Sequence, residues 1–306
     1  MDAVCLGESM ALFVPAEPGP VEAVRTWTRS TGGAESNVAC HLAGLGVRAA
    51  WVSAVGDDPF GRAVVDFVAG HGVDTSGVVV DPDRPTGVYF KTPGGVRYYR
   101  RGSAAAGLGP ALLADLPPAD LVHTSGITPA LSASCHALMD ALLRAPRSHL
   151  LSFDVNRRPA LDQDPALLRE LASRADIVLV GHDEAEALWG ADDPAVIRRL
   201  LPRPSEVVVK QAERGATLVA PDGSTVFEPA LRVDVVEEVG AGDAFAAGYL
   251  AALLAGDPPG RRLRAGHLRA ASALRTHDDV GPPLPRGMVA TLLDATEEQW
   301  RAAHIQ

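Results

Sequence analysis

Short β-branched runs alternate with alanine- and leucine-rich stretches of helical length through most of this chain, and that alternation restricts the fold more than any other feature. Ala50-Trp51-Val52-Ser53-Ala54-Val55 reads as a buried strand, and Gly56-Asp57-Asp58-Pro59 then opens a helix through about Gly70. Leu121-Val122-His123-Thr124, Leu150-Leu151-Ser152-Phe153, Ile177-Val178-Leu179-Val180 and Val207-Val208-Val209 repeat the strand theme. Between them lie helical stretches from Leu131 to Leu143, Pro165 to Ser173 and Glu184 to Trp189. Continuous apolar strands separated by helices of this size indicate βαβ units and a mostly parallel sheet covered on both faces.

Two stretches break the rhythm. Residues 10–31 and 86–103 read as extended, hairpin-like chain, with Pro93-Gly94-Gly95 as a turn and Tyr89-Phe90 and Tyr98-Tyr99 as aromatic pairs. They fit a small β flap over the ends of the main strands better than the core sheet. With 306 residues, no internal repeat and no low-complexity tail, the expectation is one α/β domain over residues 1–306 with that flap as a lid.

Charge and cysteine content exclude several functions. A formal charge of −10 argues against a nucleic-acid or anionic-membrane surface. Cys5, Cys40 and Cys135 are three, far apart and without paired spacing, which excludes a disulfide framework or a cysteine-built zinc site and suggests a reducing compartment. No apolar run reaches the ~18 residues that span a bilayer. The expected setting is the cytoplasm and the expected partner a small molecule. Of the 28 basic residues only Lys91 and Lys210 are lysines, so each merits attention in an arginine-biased chain.

The strongest local signal is Val235-Val236-Glu237-Glu238-Val239-Gly240-Ala241-Gly242-Asp243-Ala244-Phe245. It reads as a strand, a glycine turn and a helix from Asp243 to about Leu254. That helix is apolar nearly all round and therefore buried, which aims its unsatisfied N–H groups and positive dipole end into the interior or a cleft. Gly240 and Gly242 allow close backbone approach by an anion, with the amides of Ala241, Gly242 and Asp243 as donors. Asp243 at the mouth can take a proton from an attacking hydroxyl, or can simply cap the helix. About two hundred residues earlier, Gly32-Gly33-Ala34-Glu35-Ser36-Asn37-Val38-Ala39 again places glycines before an alanine-rich helix, with Asn37 able to donate and accept.

Together the two segments resemble the paired signatures of the ribokinase-like (PfkB) carbohydrate kinases. Val55-Gly56-x-Asp58-x-Phe60-Gly61 and Glu184-Ala185-x-x-Leu188-x-Gly190 match in order, so the resemblance runs over essentially the whole chain. It implies a three-layer α/β/α sandwich with a mostly parallel central sheet and a small β-sheet lid, ATP as phosphoryl donor, Mg²⁺, and Asp243 as base beside Gly240, Ala241 and Gly242. Gly7-Glu8, Tyr98-Tyr99-Arg100-Arg101-Gly102-Ser103-Ala104, Ser125-Gly126-Ile127-Thr128-Pro129 and Asp154-Val155-Asn156-Arg157-Arg158 look most like 2-keto-3-deoxygluconate kinases.

A sugar acid carries a carboxylate, which a guanidinium meets with paired, charge-assisted hydrogen bonds. Arg100 and Arg158 are the candidates, with Tyr89 and Tyr98 as walls and Gly32, Gly33, Asn37, Ile127 and Asp243 completing the substrate set. For the nucleotide the resemblance points to Lys210, Gly215, Gly240 and Gly242. Glu184 matches the acid that orders Mg²⁺ through water, and is also a helix-start acid. Three positions depart from the pattern. Gly181 stands where the family has asparagine, Ala212 where it often has glycine, and Glu237-Glu238-Val239 replaces an Asp-Thr-x run, which puts a monovalent-cation site there in doubt. Phosphorylation of the 6-hydroxyl of 2-keto-3-deoxygluconate is the expected activity, with a fructokinase or other neutral-sugar kinase, or a weakly catalytic sugar-acid-binding protein, as alternatives. A dimer through the lids is the expected assembly.

Overall fold

The computed structural model describes residues 1–17, 19–92 and 95–305. Among these residues nine strands form the large sheet, in the spatial order Thr225–Glu228, Ala216–Val219, Glu206–Lys210, Ile177–Gly181, Leu150–Asp154, Leu121–Ser125, Ala3–Leu6, Ala49–Gly56, Val78–Asp81. All neighbouring strands run parallel except at Ala216–Val219, which is antiparallel to both of its neighbours.

Alternation along each strand sorts the core into two layers. Val4 and Leu6 face a cluster with Leu138, Met139, Leu168, Ala185 and Ile197, from the helices Ala133–Arg144, Pro165–Ala172, His182–Trp189 and Pro194–Leu200. Ala3 and Cys5 face the opposite cluster with Val38, Leu42, Val64, Phe245, Tyr249 and Leu263, from the helices Ala34–Gly44, Pro59–Gly70, Ala241–Leu254 and Pro259–Leu274. Because both faces are covered, the strands carry uninterrupted apolar runs, as the sequence pattern requires. The expected three-layer α/β/α arrangement is what the chain adopts.

The first strand, Ala3–Leu6, lies third from one edge and the chain winds outward from it both ways, so the strand order reverses between Ala3–Leu6 and Leu121–Ser125. In open α/β sheets a ligand crevice lies beyond the carboxyl ends of the strands at such a point. The residues there are Gly7-Glu8, Gly126-Ile127, Val155-Asn156 and, one and two strands further out, Gly181 and Lys210.

Above these strand ends lies a four-stranded sheet ordered Trp27–Gly32, Met10–Pro15, Val88–Thr92, Gly95–Tyr99. It consists of two antiparallel pairs joined by parallel pairing of Met10–Pro15 with Val88–Thr92. Of the expected turn, Pro93 and Gly94 lie outside the described residues. Met10, Leu12 and Tyr89 pack on one face with Val14, Val96 and Tyr98. Phe13, Trp27, Phe90 and Tyr99 form an aromatic set on the other.

One expected element is absent. Val235-Val236 form no strand: the pairing segment is only Arg232–Val233, against His304–Ile305. The Val236 and Glu237 amides instead both donate to the Leu274 carbonyl, so this stretch is tied to the end of a helix and Val235 and Val236 remain exposed. No helix among the described residues is long and apolar enough to cross a membrane.

The helix Ala241–Leu254 packs on Pro259–Leu274 through glycine. A Cβ on Gly248 would lie 2.3 Å from the Ala265 carbonyl oxygen, and one on Gly266 would lie 2.8 Å from the Phe245 ring. Alanine normally stabilises a helix interior by up to ~1 kcal/mol over glycine. Here overpacking is expected to reverse that sign, so Gly248→Ala should lower stability by about 1–3 kcal/mol. A lower urea midpoint at unchanged m-value checks this.

Candidate functional site

The helix Ala241–Leu254 is buried over Asp243–Leu250, while Gly242 in its first turn is exposed, so its start opens into a cleft. Gly240 caps it with φ +86°, a left-handed conformation that glycine adopts without strain. A side chain is also excluded there, because a Cβ on Gly240 would meet the Asp279 carbonyl oxygen at 2.7 Å. The Ala241 amide donates to Glu238 O at 3.3 Å, and the first helical bond runs from Ala244 N to Gly240 O at 2.9 Å. The Gly242 and Asp243 amides make no hydrogen bond among the described residues, as the first turn of a helix dictates. Two of the three expected donors are thus free, and Ala241 is held only by a long bond.

Asp243 is 6% exposed. Its Oδ2 accepts from Asn37 Nδ2 at 2.9 Å, which joins the two glycine-led segments across 206 residues of sequence. Burial pushes the carboxyl up from its ordinary 3.8 to about 6, against the opposing pull of the Arg158 guanidinium and the Asn37 hydrogen bond. The group therefore stays ionised at neutral pH while keeping appreciable basicity.

Asp243 opens into a cavity of about 270 Å³ lined by Asp154, Asn156, Arg158, Glu184, Lys210, Glu238, Val239, Gly240 and Gly242. Lys210, last in its strand, donates to both oxygens of Asp154 at 2.8 and 3.0 Å. Its ammonium lies 3.7 Å from where a Gly242 Cβ would be, so the strand-end lysine faces the anion turn. Each oxygen of Glu184 accepts a backbone amide at 2.7 Å, from Arg157 and from Gly181. A Cβ on Gly181 would lie 3.1 Å from Glu184 Oε2, so the glycine in the asparagine position gives Glu184 room to fold back as a helix cap. Asn156 holds φ +45° at the end of its strand, one of the few non-glycine residues for which that conformation is tolerable.

The two candidate arginines differ. Arg158 makes no ion pair or side-chain hydrogen bond among the described residues. Burial opposes its charge, but Asp243 and its neighbours more than compensate and keep the group protonated. Arg100, expected with Arg158 to meet the substrate carboxylate, is buried against Glu8 at 2.7 Å and stacks over Tyr98. Glu8 also accepts from Ser103 Oγ at 2.8 Å. A buried carboxylate must be paired, and in this chain Arg100 supplies the partner.

Gly32 and Gly33 are required by the packing of the chain itself. A Cβ on Gly32 would meet Tyr89 Oη at 2.0 Å, and one on Gly33 the Glu8 carbonyl oxygen at 2.3 Å, so the protein's own chain fills both spaces. Tyr89 stacks on Tyr98 at 5.5 Å between centroids, forming one wall under the small sheet. Ile127 is buried just past the strand Leu121–Ser125. Gly215 does not line the cavity; with φ +137° it sits under the Glu228 carbonyl, 2.3 Å from its would-be Cβ.

Sequence reading passed over Asp154, Asn156, Glu238, Glu8, Glu35 and Asp279. Glu35 accepts from Ser125 Oγ at 2.6 Å, is pushed up to about 7 by burial, and fills the place of a Gly7 side chain. The Asp154-Val155-Asn156 run and the Gly7-Glu8 pair were visible signals. Asp279 had none.

The sequence profile of the pfkB family carbohydrate kinases matches residues 1–286. The 2-dehydro-3-deoxygluconokinase of Thermoproteus tenax is 36% identical over 276 residues, covering 85% of this chain and 84% of that one. The enzyme of the same name from Bacillus subtilis is 38% identical over 278 residues, covering 84% of each. Among solved structures, the aminoimidazole riboside kinase of Salmonella enterica, complexed with aminoimidazole riboside and an ATP analog, superposes with a TM-score of 0.83 at 25% identity, over 96% of this chain and 100% of that one.

Because the folded state holds the Asp243 proton more tightly than the unfolded state, it carries more protons between pH 3.8 and about 6. Stability contributed by this group therefore falls as pH rises through that window, and above it the ionised buried carboxylate is a net cost. Asp243→Asn is expected to raise unfolding stability at pH 8 by about 1–3 kcal/mol, with the gain vanishing near pH 4. Urea titrations at the two pH values measure it.

Proposed function

The chain belongs to the pfkB family of carbohydrate kinases, and on that premise we propose that it transfers the γ-phosphoryl group of ATP to the 6-hydroxyl of a sugar acid, 2-keto-3-deoxygluconate. The observation that carries this reading is the meeting, in one cavity, of a basic buried carboxylate (Asp243), free amides at a helix start and an unpaired guanidinium (Arg158).

Asp243 accepts the hydroxyl proton as the oxygen attacks, and a carboxylate raised to about 6 is better matched to that task than an ordinary aspartate. The Gly242 and Asp243 amides, with Ala241 turning from its long bond, stabilise the negative charge of the phosphoryl group in transfer. Lys210 faces the same turn and neutralises phosphate charge, with Asp154 fixing its position. Gly215 acts at one remove, by letting the strand end at Lys210 turn back closely.

No cluster of three or more His, Cys, Asp or Glu side chains among the described residues could hold a metal ion by itself. That suits Mg²⁺, which keeps several waters and binds through phosphates plus one or two carboxylates. Glu184, whose oxygens each retain a lone pair beyond their backbone bond, and Glu238 would hold it; when bound, it neutralises charge between the phosphates.

At the sugar end, Tyr89 and Tyr98 wall the site, Asn37 orients Asp243, and Arg158 is the guanidinium free to pair with the carboxylate of the acid. Arg100 contributes through its hold on Glu8 and its stacking on Tyr98, and Gly32, Gly33 and Ile127 shape the floor. The small sheet covers the site and excludes water from the transfer. Its outer aromatic face, with Phe13, Trp27, Phe90 and Tyr99, is the surface through which we propose a second copy packs.

The neutral-sugar reading draws on one observation, the pairing of Arg100 with Glu8, which leaves only Arg158 of the two candidate arginines free among the described residues. ADP release with fructose, ribose, keto-deoxygluconate and keto-deoxygalactonate separates the two. The acid is expected to give the highest kcat/KM, and Arg158→Ala to lower kcat/KM for the acid by about 10²-fold or more while changing that for fructose far less, since charge-assisted bonds to a carboxylate are each worth ~1.5–3 kcal/mol. Asp243→Asn should lose at least ~10²-fold in kcat with sugar binding retained. Near-normal turnover would remove the base from the mechanism.

A further inference from the structure

Of the two lysines in this arginine-biased chain, Lys210 belongs to the cavity and Lys91 does not. Lys91 lies on the strand Val88–Thr92 of the small sheet, two residues beyond Tyr89 and so on the same face. Its ammonium is 3.2 Å from Asp279 Oδ1 and 4.0 Å from Glu237 Oε2, with only 13% of the Lys91 side chain and 4% of that of Asp279 exposed. The second Asp279 oxygen receives the Tyr89 hydroxyl at 3.3 Å.

The backbone of Asp279 connects this cluster to the anion turn. It abuts Gly240, whose would-be Cβ lies 2.7 Å from the Asp279 carbonyl oxygen. That carbonyl also receives His41 Nε2 at 3.3 Å, and His41 is held neutral because burial lowers it to about 3. Glu237 stands three residues before Gly240 on the other arm of the turn. Two carboxylates from opposite sides of the turn thus converge on one cation, and that cation is part of the chain.

A dissolved monovalent cation at the Glu237 run, which the departure from the family pattern already puts in doubt, does not fit this arrangement. The carboxylates that would attract it already face an ammonium, and a second cation would have to displace Lys91 or sit beside a like charge in a site with little water to screen it. The geometry points to Lys91 as a tethered cation that takes the place of a dissolved one: a positioning residue that fixes Asp279, and through it the Gly240 turn. Because Lys91 is carried by the small sheet, the cation reaches the turn only with the cover in place. This rests on the kinase reading for its turnover readout alone.

The test compares wild type, Lys91→Ala and Lys91→Met in potassium, ammonium and tetramethylammonium chloride at equal ionic strength, by turnover and by thermal melting. Wild-type kcat and melting temperature are expected to be the same in all three salts. Lys91→Ala should lose about tenfold or more in kcat in tetramethylammonium and recover about threefold or more with potassium or ammonium. Its melting temperature should rise in potassium where that of the wild type does not, since a ligand bound only by the folded state raises stability. Lys91→Met, whose apolar chain fills the space, should lose the activity without recovering it. Stimulation of the wild type by potassium overturns the proposal, as does an unaltered Lys91→Ala enzyme or a loss that neither cation relieves in either readout. If the variants do not fold, the wild-type salt comparison alone decides. If no sugar is turned over, melting in the three salts still supports or overturns the role of Lys91, so that failure stays separate from failure of the kinase reading.

Discussion

Everything in the site depends on where one helix begins. Ala241–Leu254 is apolar nearly all round and is buried over Asp243–Leu250, which places that carboxyl inside the molecule while the first-turn amides open into the cavity at the strand ends. Gly240 makes the entry possible, since only a residue without a side chain can turn at φ +86° against the Asp279 backbone. The reversal of strand order provides the crevice into which this start opens, and Asn37, from the helix after the first glycine pair, reaches across to hold the carboxylate. The raised basicity of Asp243 follows directly, because the burial that makes the helix stable also removes water from its only acid.

Around that start the protein spends its buried charges in pairs. Glu8 takes Arg100, Asp154 takes Lys210, and Asp279 takes Lys91, each within 3.2 Å. Leaving a buried charge unpaired is costly, so an arginine without a partner in the same region is informative. Among the described residues Arg158 is such an arginine lining the cavity, and the pairing of its neighbours makes it the candidate to receive an external anion. A chain with net charge −10 can attract an acidic substrate only through such local positive sites.

The fold and the two glycine-led segments were legible in the sequence because each rests on local rules: β-branched runs for parallel strands, apolar periodicity for helices, glycines before a buried helix. The small sheet was legible from the extended, tyrosine-rich segments, although the parallel junction between its two hairpins was not, since register between Ala11 and Val88, 77 residues apart, leaves no local trace. What failed was reading context from a motif. Val235-Val236 look like a strand, but their amides are captured by Leu274. At Gly32 and Gly33 the sequence could not show that Tyr89 and Glu8 occupy the space of a side chain. Arg100 looks like a free guanidinium, but Glu8, ninety-two positions earlier, is buried beside it. Asp279 could not be found at all, because its role comes from three segments that meet only in the folded chain.

The central claim is that the Asp243 carboxylate, made basic by burial, takes the proton in the transfer. The most direct measurement is the pH dependence of kcat/KM for the sugar acid at saturating nucleotide. The account predicts a single-proton limb, falling about tenfold per pH unit below roughly 6 and level above it. A profile flat from pH 5 to 7.5, or a limb at the ordinary aspartate value, would contradict it.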